Sequence, residues 1–469
     1  MATTMLEHTG ELSTDELNAR TIQRRAVEAV IWAMPGVNYE IMYQAMVKTT
    51  RGAYNQIVYW SGLPSWKNQT LTPNPDAIYF MPFFNTKEVG PIVLEIPPAN
   101  DDGSITGNVD EAWQTPIEDV GSAGVDKGKG GKYLILPPGY NDKIPDGYIP
   151  MPSETYGGFA LLRSILKDGS TAGIAKAVEY GKRIKLYPLS QAASRPATTF
   201  VDAIDVEFDS TIPYDIRFFE SLDRIVQMEP WLERDKAMID QLKSIGIEKG
   251  KPFKPDPKTR ELLNAAAKEA HAWIDAKYGT ILAANHFFED KRWAFPASPA
   301  VGQGMMTLFA NPDAYPVDER GVTYSFGFVG IKHPGGGQYY LMAIEDKDGQ
   351  PFDGAGTYRL SVPPKVPITQ YWSVTVYDRV THALIRNQTR ASRSSQNPEL
   401  KTNADGSVDI YFGAVPPAGK ESNWIPTSAD GQFEVLVRLY GPEKSLFEKK
   451  WQLPDVEKFS ITNLGTRET

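Results

Sequence analysis

A mainly β protein, with a helical N-terminus, a helical connector and two antiparallel β-sandwiches, is the fold class this sequence predicts. Three observations carry that reading. The chain holds 39 glycines and 36 prolines beside 22 Tyr, 20 Phe and 10 Trp, a balance of turn formers and large flat side chains that suits short strands. Two blocks of alternating apolar and polar residues follow one another along the chain, and the segments before and between them carry helical spacing instead.

The first segment, residues 1–50, reads as helix. Ser13 and Glu16 fit a capping box, in which hydroxyl and carboxylate satisfy each other's free backbone N–H. Apolar positions recur through Ile22, Ala26, Ala29 and Ala33 until Pro35-Gly36, where a break is expected because proline removes a donor from the ladder. A second helical stretch then sets Tyr39, Met42, Tyr43 and Met46 on one side, a stripe best read as packing.

Residues 51–210 form the first predicted sandwich. Ile92, Leu94 and Ile96 alternate with Val93 and Glu95, and the run from Tyr133 to Leu136 stops at Pro137-Pro138-Gly139, as strands closed by turns do. A single helix is expected at Ala172–Tyr180. Residues 211–299 return to helical spacing, with Phe218, Leu222, Ile225 and Met228 on one face and an Ala-rich helix over Leu262–Ile274. That segment is too regularly apolar for a flexible linker and is expected to pack on the sandwiches or on a partner subunit. From Ala300 strands are expected again through residue 469. Trp372, Val374 and Val376 oppose Ser373, Thr375 and Tyr377, and Phe433, Val435, Val437 and Leu439 oppose Glu434, Leu436, Arg438 and Tyr440, which gives sheets with one apolar and one mixed face.

Composition excludes several functions. No cysteine occurs, so thiol nucleophiles and Cys-based metal sites are out. The formal charge of −9 argues against nucleic acid, whose phosphates demand a basic face. No apolar run reaches the ~20 residues that span a bilayer. The N-terminal twenty residues lack a basic start followed by an apolar core, so a cytoplasmic location is expected, with the periplasm or secretion as the alternative if a leader precedes them.

Two stretches then carry a family resemblance. Asn68–Tyr79 (NQTLTPNPDAIY) looks like the signature of the domain-of-unknown-function family 1254, with Asn74, Asp76, Ile78 and Tyr79 in place and Ala77 where the family commonly has Thr. Gly128–Gly139 resembles that family's glycine-rich turn before a strand. The C-terminal third is similar to the companion family 1214, through Asp346–Gly349 with Phe352–Gly354, Tyr371–Asp378, Asn403–Ser407, Asn423–Pro426 and Arg438–Pro442. The resemblance implies two jelly-roll-like sandwiches joined by helices, in chains that tend to form homo-oligomers; it implies no activity.

Gly128–Gly131 and Gly335–Gly337 lead into strands, whereas phosphate loops open helices. Asp346, Asp348 and Asp353 are read as a hairpin turn, with a surface calcium ion as the lesser alternative and no other cofactor expected; the further ligands of an EF-hand are missing. Ser164 and Lys167 match S-x-x-K without its companion motifs. Of the histidines His8, His271, His286, His333 and His382, His286 near Glu289 and Asp290 is a candidate substrate contact. Asp76 and Tyr79, with Tyr377 from the second sandwich, are the candidate catalytic set, a carboxylate and phenols able to share a proton. Asn74, Arg386 and Asn387 join His286 as candidate binding residues, since a guanidinium beside aromatics can clamp a carboxylate or phosphate. Structural readings stand beside these: Asp76 as a turn cap, and Arg386 as the partner of Asp378 or Asp409. The function expected is a cofactor-independent hydrolase or lyase acting on a polar small molecule or glycan between the sandwiches. The alternative is a ligand-binding or assembly module.

Overall fold

The computed structural model describes residues 12–327, 330–333 and 337–460. Helix α1 (Thr14–Thr50) starts with the expected capping box, the Glu16 N–H donating to the Ser13 hydroxyl and the Ser13 N–H to the Glu16 carboxylate at 2.8 Å. The break expected at Pro35-Gly36 does not occur, and the helix runs on for 37 residues. Burial explains this. Residues 29–40 are all buried, and the carbonyl of Pro35 accepts a bond from the Gln114 side chain at 2.8 Å. The surroundings thus keep continuous what proline alone would break.

The first β block contains β1 (Gln56–Tyr59), β2 (Asn68–Gln69), β3 (Ile78–Asn85), β4 (Ile92–Ile96), β5 (Ile105–Glu111) and β6 (Pro116–Val120). It continues through β7 (Gly131–Leu136), β8 (Tyr148–Pro152), β9 (Gly157–Ser164), α2 (Thr171–Gly181), β10 (Lys185–Pro188), β11 (Phe200–Asp202) and β12 (Phe208–Asp209). Six strands form one sheet in the order β11-β1-β3-β9-β5-β6, and four form a second in the order β10-β4-β7-β8. One hydrophobic cluster takes Ile78, Phe80, Ala160 and Leu162 from the first sheet and Ile92, Leu94, Tyr133 and Ile135 from the second, with Tyr180 of α2 joining them. The alternate residues Tyr79, Met81, Phe83 and Leu161 turn the other way and pack with Tyr39, Met42 and Met46 of α1. The central strands β3 and β9 of the six-stranded sheet are therefore buried on both faces, as their largely apolar sequences require.

The helical segment comprises α3 (Ile216–Met228), α4 (Lys236–Gln241), α5 (Pro257–Ala284), α6 (Pro299–Met306) and α7 (Val317–Phe326). The last two occupy the stretch where strands were expected from Ala300; among the described residues strands resume at Gln338. Helices α3, α5 and α7 lie against α1 in one cluster built on Val30, Ala33, Leu222, Ala267 and Val322.

The second β block holds β13 (Gln338–Ala343), β14 (Tyr358–Val362), β15 (Trp372–Asp378), β16 (Ser392–Ser394), β17 (Val408–Gly413), β18 (Trp424–Pro426), β19 (Phe433–Tyr440), α8 (Lys444–Phe447) and β20 (Glu457–Lys458). Its sheets run β13-β19-β15-β16 and β18-β17-β14-β20, with Val374, Val435 and Val437 of the first facing Leu360, Ile410 and Phe412 of the second. The mixed face of β15 and β19 is not solvated. Met342, Tyr377 and Leu436 join the helical cluster, and every residue of β19 is buried. Most strand pairs are antiparallel, but β1·β11, β2·β12, β7·β8 and β17·β18 are parallel, so three sheets are mixed and the two-stranded β2·β12 sheet is parallel where purely antiparallel ones were expected. Among the described residues no helix is long and apolar enough to cross a membrane.

Candidate functional site

The loop between β2 and β3 is where the two sandwiches meet. Its turn forms as the sequence suggests, the Asp76 N–H donating to the Asn74 side-chain oxygen at 3.0 Å. Around that turn, the second sandwich takes hold of almost every residue. The Asn74 amide donates to the Tyr440 hydroxyl, the Tyr377 hydroxyl donates to the Pro73 carbonyl at 2.7 Å, and the Ser392 hydroxyl donates to Asp76 at 3.1 Å. Thr72 is held three ways: its N–H by the His382 carbonyl at 2.7 Å, its hydroxyl by the Phe326 carbonyl at 2.9 Å, and its carbonyl by Arg438 at 2.8 Å. These bonds keep a β-branched residue at φ 38°, a conformation that surroundings must impose. Asn74, Asp76, Tyr79 and Tyr377 are thus brought together, with the Tyr79 hydroxyl accepting from the Asn74 N–H at 3.0 Å.

Burial sets the electrostatics here. It pushes the Asp76 carboxyl up to about 6, against the opposing pull of the Ser392 hydroxyl and the Arg438 charge; one Asp76 oxygen is buried without a partner. Burial likewise holds the Tyr377, Tyr371 and Tyr440 phenols well above their ordinary range. All three are neutral donors and acceptors near neutral pH.

Two arginines that the sequence reading did not single out as a pair complete the site. Arg438 on β19 donates to the Thr375 hydroxyl at 2.9 Å, to Tyr377 and to the Thr72 carbonyl. Arg163 on β9 lies opposite Tyr79 of β3 in register, its guanidinium 5.4 Å from the centre of the Tyr79 ring. They are 2% and 7% exposed, and each has a buried Nε with no partner. Among the described residues neither forms an ion pair with a carboxylate; the titratable neighbours of Arg163 are the phenols of Tyr340, Tyr79 and Tyr440. The available signal was a charge inside a largely apolar strand: Arg163 after the apolar run FALL, and Arg438 between Val437 and Leu439 in FEVLVRLY.

Both guanidiniums border a cavity of about 420 Å³ between the sandwiches. Its wall is otherwise largely apolar, with Leu161, Phe295, Met305, Phe326, Met342 and Leu436 contributing. Met306 and Phe447 also line it and are 41% and 46% exposed, which gives the cavity an apolar mouth. The volume is that of a small-molecule site.

The remaining candidates lie elsewhere. Arg386 is at the surface and pairs with Glu207 and Asp209, not with Asp378 or Asp409. Asn387 beside it is exposed at φ 61°. His286 makes a backbone bridge to Ala294 and is not part of the cavity wall. Asp346 caps the N–H groups of Asp348 and Gln350, while Asp353 caps Ala355. These are separate turns, and among the described residues no three acidic or histidine side chains cluster as metal ligands. The turn at Gly128–Gly131 already holds an anion of its own, since the Asp126 carboxylate accepts from the N–H groups of Gly121 and Gly130 at 2.7 and 3.0 Å. His8, Gly335 and Gly336 lie outside the described residues.

Family models match both halves of this architecture, a protein of unknown function (DUF1254) over residues 54–188 and a protein of unknown function (DUF1214) over residues 337–444. The chain carries a DUF1254 region followed by a DUF1214 region. The site therefore takes Arg163 and the Thr72–Tyr79 loop from the DUF1254 region, and Tyr377, Arg438 and Tyr440 from the DUF1214 region. The VPA0106 protein from Vibrio parahaemolyticus shares the fold, with a TM-score of 0.56 at 17% identity over 94% of this chain and 100% of its own. An uncharacterised protein from Burkholderia cenocepacia aligns at a TM-score of 0.40 and 10% identity, over 94% of this chain and 96% of its own. No curated protein matches the chain.

Proposed function

We propose that this protein binds an organic anion with an apolar body, an aliphatic or aromatic carboxylate, in the cavity between two jelly-roll-like sandwiches. One observation carries the reading: two buried guanidiniums without a carboxylate partner border a cavity whose other walls are mainly apolar. Burying an unpaired charge costs several kcal/mol, and a cost of that kind is expected where a ligand supplies the missing partner. The exposed Met306 and Phe447 favour entry of the acid end first, leaving the apolar body against the methionines, whose flexible side chains adapt to ligand shape.

This favours the binding alternative over a hydrolase or lyase. Asp76 and Tyr377 are engaged in joining the sandwiches, Asp76 is not part of the cavity wall, and Arg386 is bonded to surface carboxylates. Calorimetric titration with decanoate and decanol tests the reading. Decanoate is expected to bind and decanol to bind at least tenfold more weakly. Arg163→Met should lose the decanoate affinity while the unliganded protein keeps or gains stability, because an unpaired buried charge has gone. Arg438→Met should also lose affinity but destabilise by about 2–4 kcal/mol, because Thr72, Thr375 and Tyr377 lose their bonds to a charged donor. Equal binding of acid and alcohol, or undiminished binding by Arg163→Met, overturns the reading.

A further inference from the structure

The apolar cavity does not end at Arg163. A second cavity of about 130 Å³ adjoins it, and Arg163 and Gln338 border both. The register explains how one side chain serves two chambers. Strand β9 lies between β3 and β5, with Arg163 opposite Tyr79 on one side and Thr106 on the other. Around the second chamber stand Thr106 and Asn108 of β5, Ser122 of the turn after β6, Gln370 and Tyr440. Ser122 and Gln370 are exposed, so this chamber has a polar opening where the first has an apolar one. A buried guanidinium whose Nε has no partner stands at the junction.

The charge around the smaller chamber limits what it accepts. Asp119 lines it and is held by the N–H groups of Lys332 and His333 at 3.2 and 2.6 Å. The neighbouring Glu118 is paired with Lys332 and His333 at 2.8 and 2.7 Å. A second anionic group would meet the Asp119 carboxylate, whereas a neutral amide or hydroxyl would meet the donors and acceptors of Thr106, Asn108, Ser122 and Gln370.

Resting on the anion-binding reading above, we infer that the smaller chamber is a subsite for a neutral hydrogen-bonding substituent of the same ligand. The ligand class is then an amphiphile with three parts in order: an apolar body, a carboxylate at Arg163, and an amide or hydroxyl beyond it, as in an acyl chain joined to an amino acid with a neutral polar side chain.

The test compares decanoate, N-decanoylglutamine and N-decanoylglutamate by calorimetric titration of the full chain. N-decanoylglutamine is expected to bind at least tenfold more tightly than decanoate, and N-decanoylglutamate more weakly than N-decanoylglutamine. In Ser122→Trp, which fills the chamber from its exposed edge, the ratio of the first two affinities should fall to within about twofold; a ratio taken on one variant is insensitive to any overall loss of folded protein. If the unmodified protein binds decanoate through Arg163 but shows no preference for N-decanoylglutamine, the subsite is refuted and the anion site stands. A preference that survives Ser122→Trp also refutes the subsite. If none of the three ligands binds, the anion site itself is wrong and the subsite falls with it.

Discussion

Asp76 makes the stability of this protein depend on pH in a direction opposite to that of a salt-bridged carboxylate. Its folded value of about 6 lies above the ordinary 3.8, so between those values the folded chain binds more protons than the unfolded one. The stability that this group supplies is full below about pH 4 and is lost as pH rises through 6, by on the order of 3 kcal/mol if the whole shift counts. Asp76→Asn removes that loss while keeping an oxygen for the Ser392 hydroxyl. The difference in urea midpoint, variant minus parent, should therefore shift in favour of the variant between pH 4 and pH 7 and level off above. Other carboxyls raised by burial, Glu229 at about 7 and Asp110, titrate in both proteins and cancel in the difference. A pH-independent difference would mean that Asp76 is solvated after all. At this scale the sequence was legible where chemistry is local: the turn at Asn74–Asp76 follows from its residue types. Arg163 was not legible, because a charge within an apolar strand reads the same whether it pairs, reaches solvent or faces a void. Arg386 misled for the complementary reason, since its surface partners Glu207 and Asp209 lie more than 170 positions away in the chain.

Helix α1 sets the helical layer, and α7 packs against it at a glycine. A Cβ at Gly321 would sit 2.6 Å from the Ile31 carbonyl oxygen and 3.0 Å from the Ile31 side chain. That carbonyl is the one Pro35 leaves without its usual i+4 donor, so α7 approaches the helix where its ladder is interrupted. Gly321→Ala must push the helices apart, and an overpacked core costs about 1–3 kcal/mol, set against the roughly 1 kcal/mol gained by removing a helical glycine. Since α7 carries Thr323 and Phe326 into the cavity wall, decanoate affinity should fall together with the denaturation midpoint. A stable variant with unchanged affinity would show that this crossing does not shape the cavity. The misreading of Pro35-Gly36 as a break has the same origin. A helix buried on all sides loses the polar stripe that marks amphipathic periodicity, and proline then dominates the local pattern. The mixed faces of β15 and β19 were legible as alternation, but their burial under helices depends on residues far along the chain.

At the scale of the molecule, the two β blocks were legible as separate runs of alternation, yet they do not behave as separable bodies. The cluster that contains α1, α3, α5 and α7 also takes Met342, Tyr377 and Leu436 from the second sandwich, and the Thr72–Asp76 loop of the first is bonded to Tyr377, His382, Ser392, Arg438 and Tyr440 of the second. Chains with several β units commonly unfold in steps; here the unfolding of either sandwich would strip the other's buried face, and loss of the first would take the Thr72 carbonyl from Arg438. One cooperative transition is therefore expected. Tryptophans report on both halves, Trp60 and Trp113 in the first and Trp293 and Trp372 in the second, all buried. Urea curves from tryptophan fluorescence and far-ultraviolet circular dichroism should superimpose. Asn74→Ala, which loses the bond to Tyr440 and the turn bond to the Asp76 N–H, should lower the unfolding free energy by about 2 kcal/mol with the curves still coincident. Two resolved transitions in the parent protein would show instead that the loop joins bodies already stable on their own, and the cavity between them would then be free to open without unfolding.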